Sequence, residues 1–151
     1  MTEHEVEILL VEDNPSDAEL TLRALRKNHL ANKVHIAEDG AQAIEYLFGK
    51  GETKRQGARP MPKVILLDLK LPKIGGLEVL RRIKCNEQTK TIPVVALTSS
   101  NQDSDLQECY KLGVNSYITK PVQFDAFVNA VSELGFYWMM LNQPPLNNRP
   151  D

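Results

Sequence analysis

At 151 residues, with 42% hydrophobic and 25% charged content, the chain has the length and composition of one soluble globular domain with a real core. A formal net charge of −2 gives no electrostatic case for nucleic acid. The absence of a signal-peptide pattern, or of any apolar run approaching about 18 residues, gives the expectation of a cytoplasmic protein that meets no membrane.

Val6 to Val11 is an apolar strand candidate that ends in acid, Glu12-Asp13-Asn14. Pro15 suits the first turn of a following helix, with Asn14 or Asp13 as its cap, and Ala18, Leu22 and Leu25 recur at helical spacing to about Asn28. Val34 to Ala37 is a shorter strand, Asp39-Gly40 a turn, and Ala41 to Phe48 a second helix. Residues 49–62 read as a loop carrying Lys50, Lys54, Arg55 and Arg59. That cluster suits either a phosphate or partner contact or a plain solvated surface, the commoner case.

Lys63-Val64-Ile65-Leu66-Leu67-Asp68-Leu69 follows, closed by Pro72 and Gly75-Gly76. A short, continuous apolar run of this kind reads as a strand buried on both faces of a parallel sheet, with Asp68 at its carboxyl end. Alone, Asp68 is equally well a cap or turn former. Leu77, Leu80 and Ile83 mark a third helix. Thr91 to Thr98 is a fourth strand ending in the hydroxyls of Thr98, Ser99 and Ser100. Gln102 to Leu112 reads as a fourth helix capped by Gly113, Ser116 to Thr119 as a fifth strand ending at Lys120-Pro121, and a last helix starts near Phe124 with Phe127, Val128, Val131 and Leu134 on one face. Cys85 and Cys109 fall in helix-like segments, fit no metal spacing and are expected as free thiols. Strands alternating with helices imply an α/β fold, a parallel sheet covered on both faces.

Four strands thus end in polar groups of different chemistry: Glu12 with Asp13, Asp68, Thr98 and Lys120. In an open parallel sheet such ends converge on one crevice. Three close carboxylates repel and raise one another's pKa unless a cation joins them, and Mg²⁺ suits an all-oxygen site. A divalent ion, an ammonium and a hydroxyl around one carboxylate form a trap for phosphoryl oxygens, with the central Asp68 as nucleophile.

Taken together, the acidic pair, the stretch LLDLKLPKIGGLEVL, Thr98 and Lys120-Pro121 resemble a response-regulator receiver domain of two-component signalling, from about Glu5 to Leu134. The resemblance implies the flavodoxin-like, CheY-like fold: five parallel strands in the order 2-1-3-4-5 with five helices on both faces. It further implies that Asp68 becomes the aspartyl phosphate, that Asp13 binds Mg²⁺ directly with Glu12 acting through water, and that the Lys70 carbonyl supplies another ligand. Thr98 and Lys120 would bind the phosphoryl oxygens, Lys120-Pro121 would be a cis peptide, and Tyr117 would be the switch aromatic that turns inward as Thr98 moves. The phosphoryl donor would be a sensor histidine kinase. The long basic loop and the proline-terminated aromatic extension are similar to those of small phytochrome-associated regulators, which points to a phytochrome as that kinase.

After Leu134 the run Gly135 to Leu141, with Phe136, Tyr137, Trp138 and Met139, exceeds one apolar stripe and is expected to form a homodimer contact or partner dock rather than to pack only on its own sheet. The domain expectation is therefore a single stand-alone receiver over 1–151, with a core of 5–134 and an extension of 135–151, signalling by protein contact. Among alternatives, a Mg²⁺-dependent phosphohydrolase with an Asp nucleophile needs a general acid two residues on, where Lys70 stands. A flavin-binding fold needs a Ser/Thr/Gly-rich phosphate loop after the first strand, where Glu12-Asp13 stand instead, and a degenerate receiver used only as a scaffold would not keep every site residue.

Overall fold

In the computed structural model, residues 8–26, 34–50, 53–54, 61–71, 73–98, 103–120, 122–123, 125–126 and 129 are described. They form strand β1 (Ile8–Val11), helix α1 (Pro15–Arg26), β2 (Val34–Ala37), α2 (Gly40–Phe48), β3 (Gly49–Lys50), β4 (Thr53–Lys54), β5 (Val64–Asp68), α3 (Gly76–Lys84), β6 (Val94–Thr98), α4 (Asp103–Leu112) and β7 (Ser116–Thr119). The main sheet runs β2-β1-β5-β6-β7 with every pairing parallel. Counting only its own strands, that is the expected order 2-1-3-4-5. Among the described residues no helix is long and apolar enough to cross a membrane.

Burial follows from position in the sheet. The three inner strands β1, β5 and β6 are buried at every residue. The edge strands β2 and β7 carry His35, Tyr117 and Thr119 outward. Successive side chains on a strand point to opposite faces, so the apolar runs divide into two cores. Leu9, Val11, Ile65, Leu67, Val94 and Ala96 meet α2, α3 and α4 through Ala43, Leu47, Val79, Leu80, Ile83 and Cys109. Ile8, Leu10, Val64, Leu66, Val95, Leu97 and Ile118 lie on the other face with Ala18 and Leu25 of α1. Asp68 continues the row of Val64 and Leu66, and Glu12 continues that of Ile8 and Leu10, so both carboxylates emerge on the α1 side.

Helix starts are specified locally. Asn14 Oδ1 accepts from the Asp17 amide at 3.0 Å, which makes Asn14 the cap of α1. Asp39 caps α2 in the same way, its Oδ1 accepting from Gln42 N at 2.8 Å. Asp39-Gly40, expected as a turn, is therefore a helix cap and first turn. An added Cβ on Gly40 would overlap the Ile74 carbonyl, and one on Gly76 would lie 2.5 Å from the Asp68 carbonyl oxygen. Both helices thus start hard against the segment that leaves β5. In that segment Lys73 takes a positive φ of 65° and its ammonium reaches Asp39 Oδ2 at 3.3 Å. At the far end of the sheet, Lys84 Nζ donates to the carbonyls of Ile92 (2.9 Å) and Lys90 (3.1 Å) and to Asn115 Oδ1. Asn115 Oδ1 also accepts from Val94 N, which ties α3 to the starts of β6 and β7.

One further expectation differs from what is found. The loop 49–62 contains a two-residue antiparallel pairing of β3 with β4. Only Asp125, Ala126 and Asn129 of the last expected helix are described, all helical, and its remaining residues lie outside the described set. Cys85 is exposed and Cys109 buried, both as free thiols.

Candidate functional site

The carboxyl ends of β1, β5 and β7 meet, and Lys120 is where they meet. Its side chain is mostly covered, and Nζ lies 2.9 Å from Asp17 Oδ2, 3.1 Å from Asp68 Oδ2 and 3.0 and 3.1 Å from the two oxygens of Glu12. Lys120 is itself positioned by its backbone amide, which donates to the Thr98 carbonyl at 2.8 Å. The ends of β6 and β7 are in register there, Thr98 opposite Thr119.

Asp68 is 4% exposed and uses its two oxygens differently. Oδ2 accepts from the Lys120 ammonium, and Oδ1 accepts from the Lys70 amide at 3.0 Å. Glu12 is buried at the end of β1, with Oε2 also accepting from Asn14 N at 3.3 Å. Its Oε1, although 3.0 Å from the ammonium, accepts no hydrogen bond among the described residues. Asp13 is exposed beside them. Glu12, Asp13 and Asp68 each offer an oxygen, all within 4.8 Å of one another.

The electrostatics follow from that crowding. Burial, reinforced by the neighbouring Asp68 carboxylate and opposed by Lys120, pushes the Glu12 carboxyl up to about 7. Burial alone would lower the Lys120 pKa, but hydrogen bonds to Asp17, Glu12 and Asp68 outweigh it and hold the ammonium well above its usual range. Three carboxylates share one cation, with Asp13 a fourth acid beside them, so the cluster has a surplus of negative charge and a buried oxygen without a donor. An oxygen set of this kind fits a divalent cation, which would accept Oε1 as well as the surplus charge.

Thr98 is buried at the end of β6. Continuing the row of Val94 and Ala96, it approaches the crevice from the face opposite to Asp68 and Glu12. Tyr117 is 42% exposed and packs edge-on against Tyr110 of α4, with ring centroids 6.5 Å apart at 87°. It is therefore turned outward. Lys70 is exposed. Pro121, Ser99, Ser100, and Phe136, Tyr137, Trp138 and Met139 lie outside the described residues.

Asp17 is the member of the cluster not anticipated from the sequence, and it makes the shortest contact to Lys120. A usable signal was present. Asp17, Thr21 and Leu25 form an i, i+4, i+8 row on α1, and Thr21 and Leu25 are buried, so the row faces the sheet.

The chain is similar to several known proteins. The bacteriophytochrome response regulator AtBRR is 51% identical over 92% of this chain and 99% of its own, with a TM-score of 0.78. Response regulator Rcp1 of Synechocystis sp. is 39% identical over 87% of this chain and 88% of its own. Its Mn²⁺-bound structure gives a TM-score of 0.71 at 37% identity, covering 93% of this chain and 99% of that one. The phosphorylated cyanobacterial phytochrome response regulator RcpA, also 37% identical with the same coverage, gives 0.72. The response regulator receiver domain matches residues 8–132, a span that begins with β1 and takes in every charged group around Lys120, and the chain belongs to that family.

Proposed function

We propose that Asp68 accepts a phosphoryl group from a phosphohistidine of a sensor histidine kinase, in a reaction that requires Mg²⁺, and that the acyl phosphate changes which proteins the domain contacts. The observation that carries this reading is the 3.1 Å contact between Asp68 on the central strand and Lys120 beyond the edge strand, inside a ring of carboxylates. An ammonium and a carboxylate held together only to stabilise a fold need no further acids beside them.

In the transfer, an Asp68 oxygen forms the new bond to phosphorus while the P–N bond to the donor imidazole breaks. The imidazole leaves with the bonding pair as a neutral ring when it starts protonated on its other nitrogen. The Lys70 amide holds Oδ1 and so fixes the plane of the carboxylate. Lys120 balances charge on the incoming phosphoryl oxygens, with Thr98 as the hydroxyl donor at the neighbouring strand end. Glu12, Asp13, Asp68 and the Lys70 carbonyl are the groups that would hold the Mg²⁺, whose chemistry is to neutralise the carboxylates and attract phosphoryl oxygens. No general base is required, since the nucleophile is already an anion.

Tyr117, turned outward in this state, supplies the signalling step. Movement of Thr98 toward the phosphoryl group opens space beneath Tyr117, and the ring leaves Tyr110 to fill it, which changes the surface shared by α4 and β7. The likeness to AtBRR and RcpA supports a phytochrome as the donor kinase. Acetyl phosphate with Mg²⁺ should label the wild-type chain and not Asp68→Asn. Undiminished labelling of Asp68→Asn, at any residue, would remove Asp68 from the role.

A further inference from the structure

The Lys120 ammonium has three N–H donors, and in this structure Asp17, Glu12 and Asp68 take all three. Under the function proposed above, on which this inference rests, a phosphoryl oxygen on Asp68 also needs one of them. One of the three acceptors must therefore let go. Glu12 is the poorest candidate, because its side chain is fully covered and the Oε2 released would keep only the longer bond from Asn14 N, at 3.3 Å, with no water to replace the ammonium. Asp68 carries the phosphoryl group itself. Asp17 differs from both: its side chain is 37% exposed, against 0% for Glu12 and 6% for Asp68, so its carboxylate can be rehydrated on release.

We propose that Asp17 is a displaceable counter-ion, a positioning residue that holds Lys120 in the unphosphorylated state and is exchanged for a phosphoryl oxygen when Asp68 is modified. Two consequences follow. The Asp17–Lys120 contact competes with the phosphoryl group, so it weakens the modified state. Because Asp17 belongs to α1 and Lys120 follows β7, the exchange also unties α1 from the far strand end. Phosphorylation is thereby felt on α1 as well as at Tyr117, through a contact that is broken and not one that is made.

The test uses beryllofluoride as a stand-in for the phosphoryl group, titrated at saturating Mg²⁺ by calorimetry into the wild-type chain, Asp17→Asn and Asp17→Ser. Both substitutions remove the charge, and Asn keeps the shape of the side chain. The affinity for beryllofluoride should tighten about two- to fivefold in both variants, the range for a part-exposed ion pair. The gain should shrink at high salt, as the competing pair is screened. A merely structural Asp17 would alter thermal stability without tightening binding or giving that salt dependence. Equal or weaker binding in both variants overturns the inference while leaving Asp68 as acceptor. If the wild-type chain itself does not bind beryllofluoride with Mg²⁺, the reading of Asp68 fails, and the inference with it.

Discussion

The raised Glu12 carboxyl makes a quantitative prediction about the chain without metal. Its pKa of about 7 in the fold exceeds the ordinary glutamate value of 4.5, so between those values the folded chain keeps a proton that the unfolded chain has released. Stability therefore falls as pH rises through this window and levels off above it. A shift of that size corresponds to on the order of 3 kcal/mol at neutral pH, a sizeable part of a domain's total stability. Lys120 does not blur the measurement. Its pKa is also raised, so its contribution is complete below the unfolded lysine value of 10.5 and is lost only at more alkaline pH. Asp39, whose carboxyl is held low chiefly by the Gln42 amide, contributes stability that is lost only as pH falls below 3.8.

Urea unfolding of the wild-type chain and of Glu12→Gln, in EDTA from pH 5 to pH 8, isolates the group. The wild type should lose stability relative to the variant across that range. With saturating Mg²⁺ the fall should disappear, because the cation displaces the proton from the folded chain and leaves Glu12 ionised in both states. Below pH 7 the apparent Mg²⁺ affinity should rise by up to about tenfold per pH unit, and with it the stabilisation by mass action. Parallel curves for the two proteins in EDTA would refute the argument from burial and Asp68.

Asp13→Asn removes one charge from an oxygen set spanning 4.8 Å and should weaken Mg²⁺ binding about tenfold or more by calorimetry, with the fold intact; unchanged affinity would exclude Asp13 as a ligand. Gly76→Ala places a methyl group 2.5 Å from the Asp68 carbonyl oxygen, against unyielding backbone, and should lower the urea-derived stability by about 1–3 kcal/mol. Lys84→Met strips donors from the Ile92 and Lys90 carbonyls and from Asn115. It should destabilise the chain by about 1–3 kcal/mol and speed amide exchange at Val94, and unaltered exchange there would count against the tie.

The sheet was legible because β1, β5 and β6 are buried on both faces, and a strand in that position has to be a continuous apolar run. The edge strands could be found since each is short and stops at a polar residue. The β3–β4 pairing could not, because two residues per strand held by backbone bonds leave no apolar pattern. Asp39-Gly40 was ambiguous for a different reason: Asp stabilises a turn and a helix start by the same side-chain acceptance, and only the Gln42 amide decides between them. At the site, the residue types at the strand ends were readable, whereas the convergence on one ammonium is a tertiary fact. Asp17 shows the gap most clearly. In sequence it is an acid in a helix's first turn, a place where acids are common for the helix dipole alone. Its partner lies 103 positions away.

The site also explains why so much apolar structure stands behind so few polar groups. Glu12, Asp17, Asp68 and Lys120 come from four different elements, and no two adjacent elements could assemble them. Three carboxylates around one ammonium would move apart if free to do so. They are held because each follows a segment anchored in one of the two cores: Ile8 to Val11 behind Glu12, Val64 to Leu67 behind Asp68, Ile118 before Lys120, and Leu25 on the helix that carries Asp17. Repulsion held in place this way destabilises the empty site, and the same repulsion is relieved by a divalent cation or by a proton on Glu12. Affinity for the cation and strain in its absence are then one quantity seen from two sides, and a substitution that relaxes the site by removing a carboxylate must also weaken its hold on the ion.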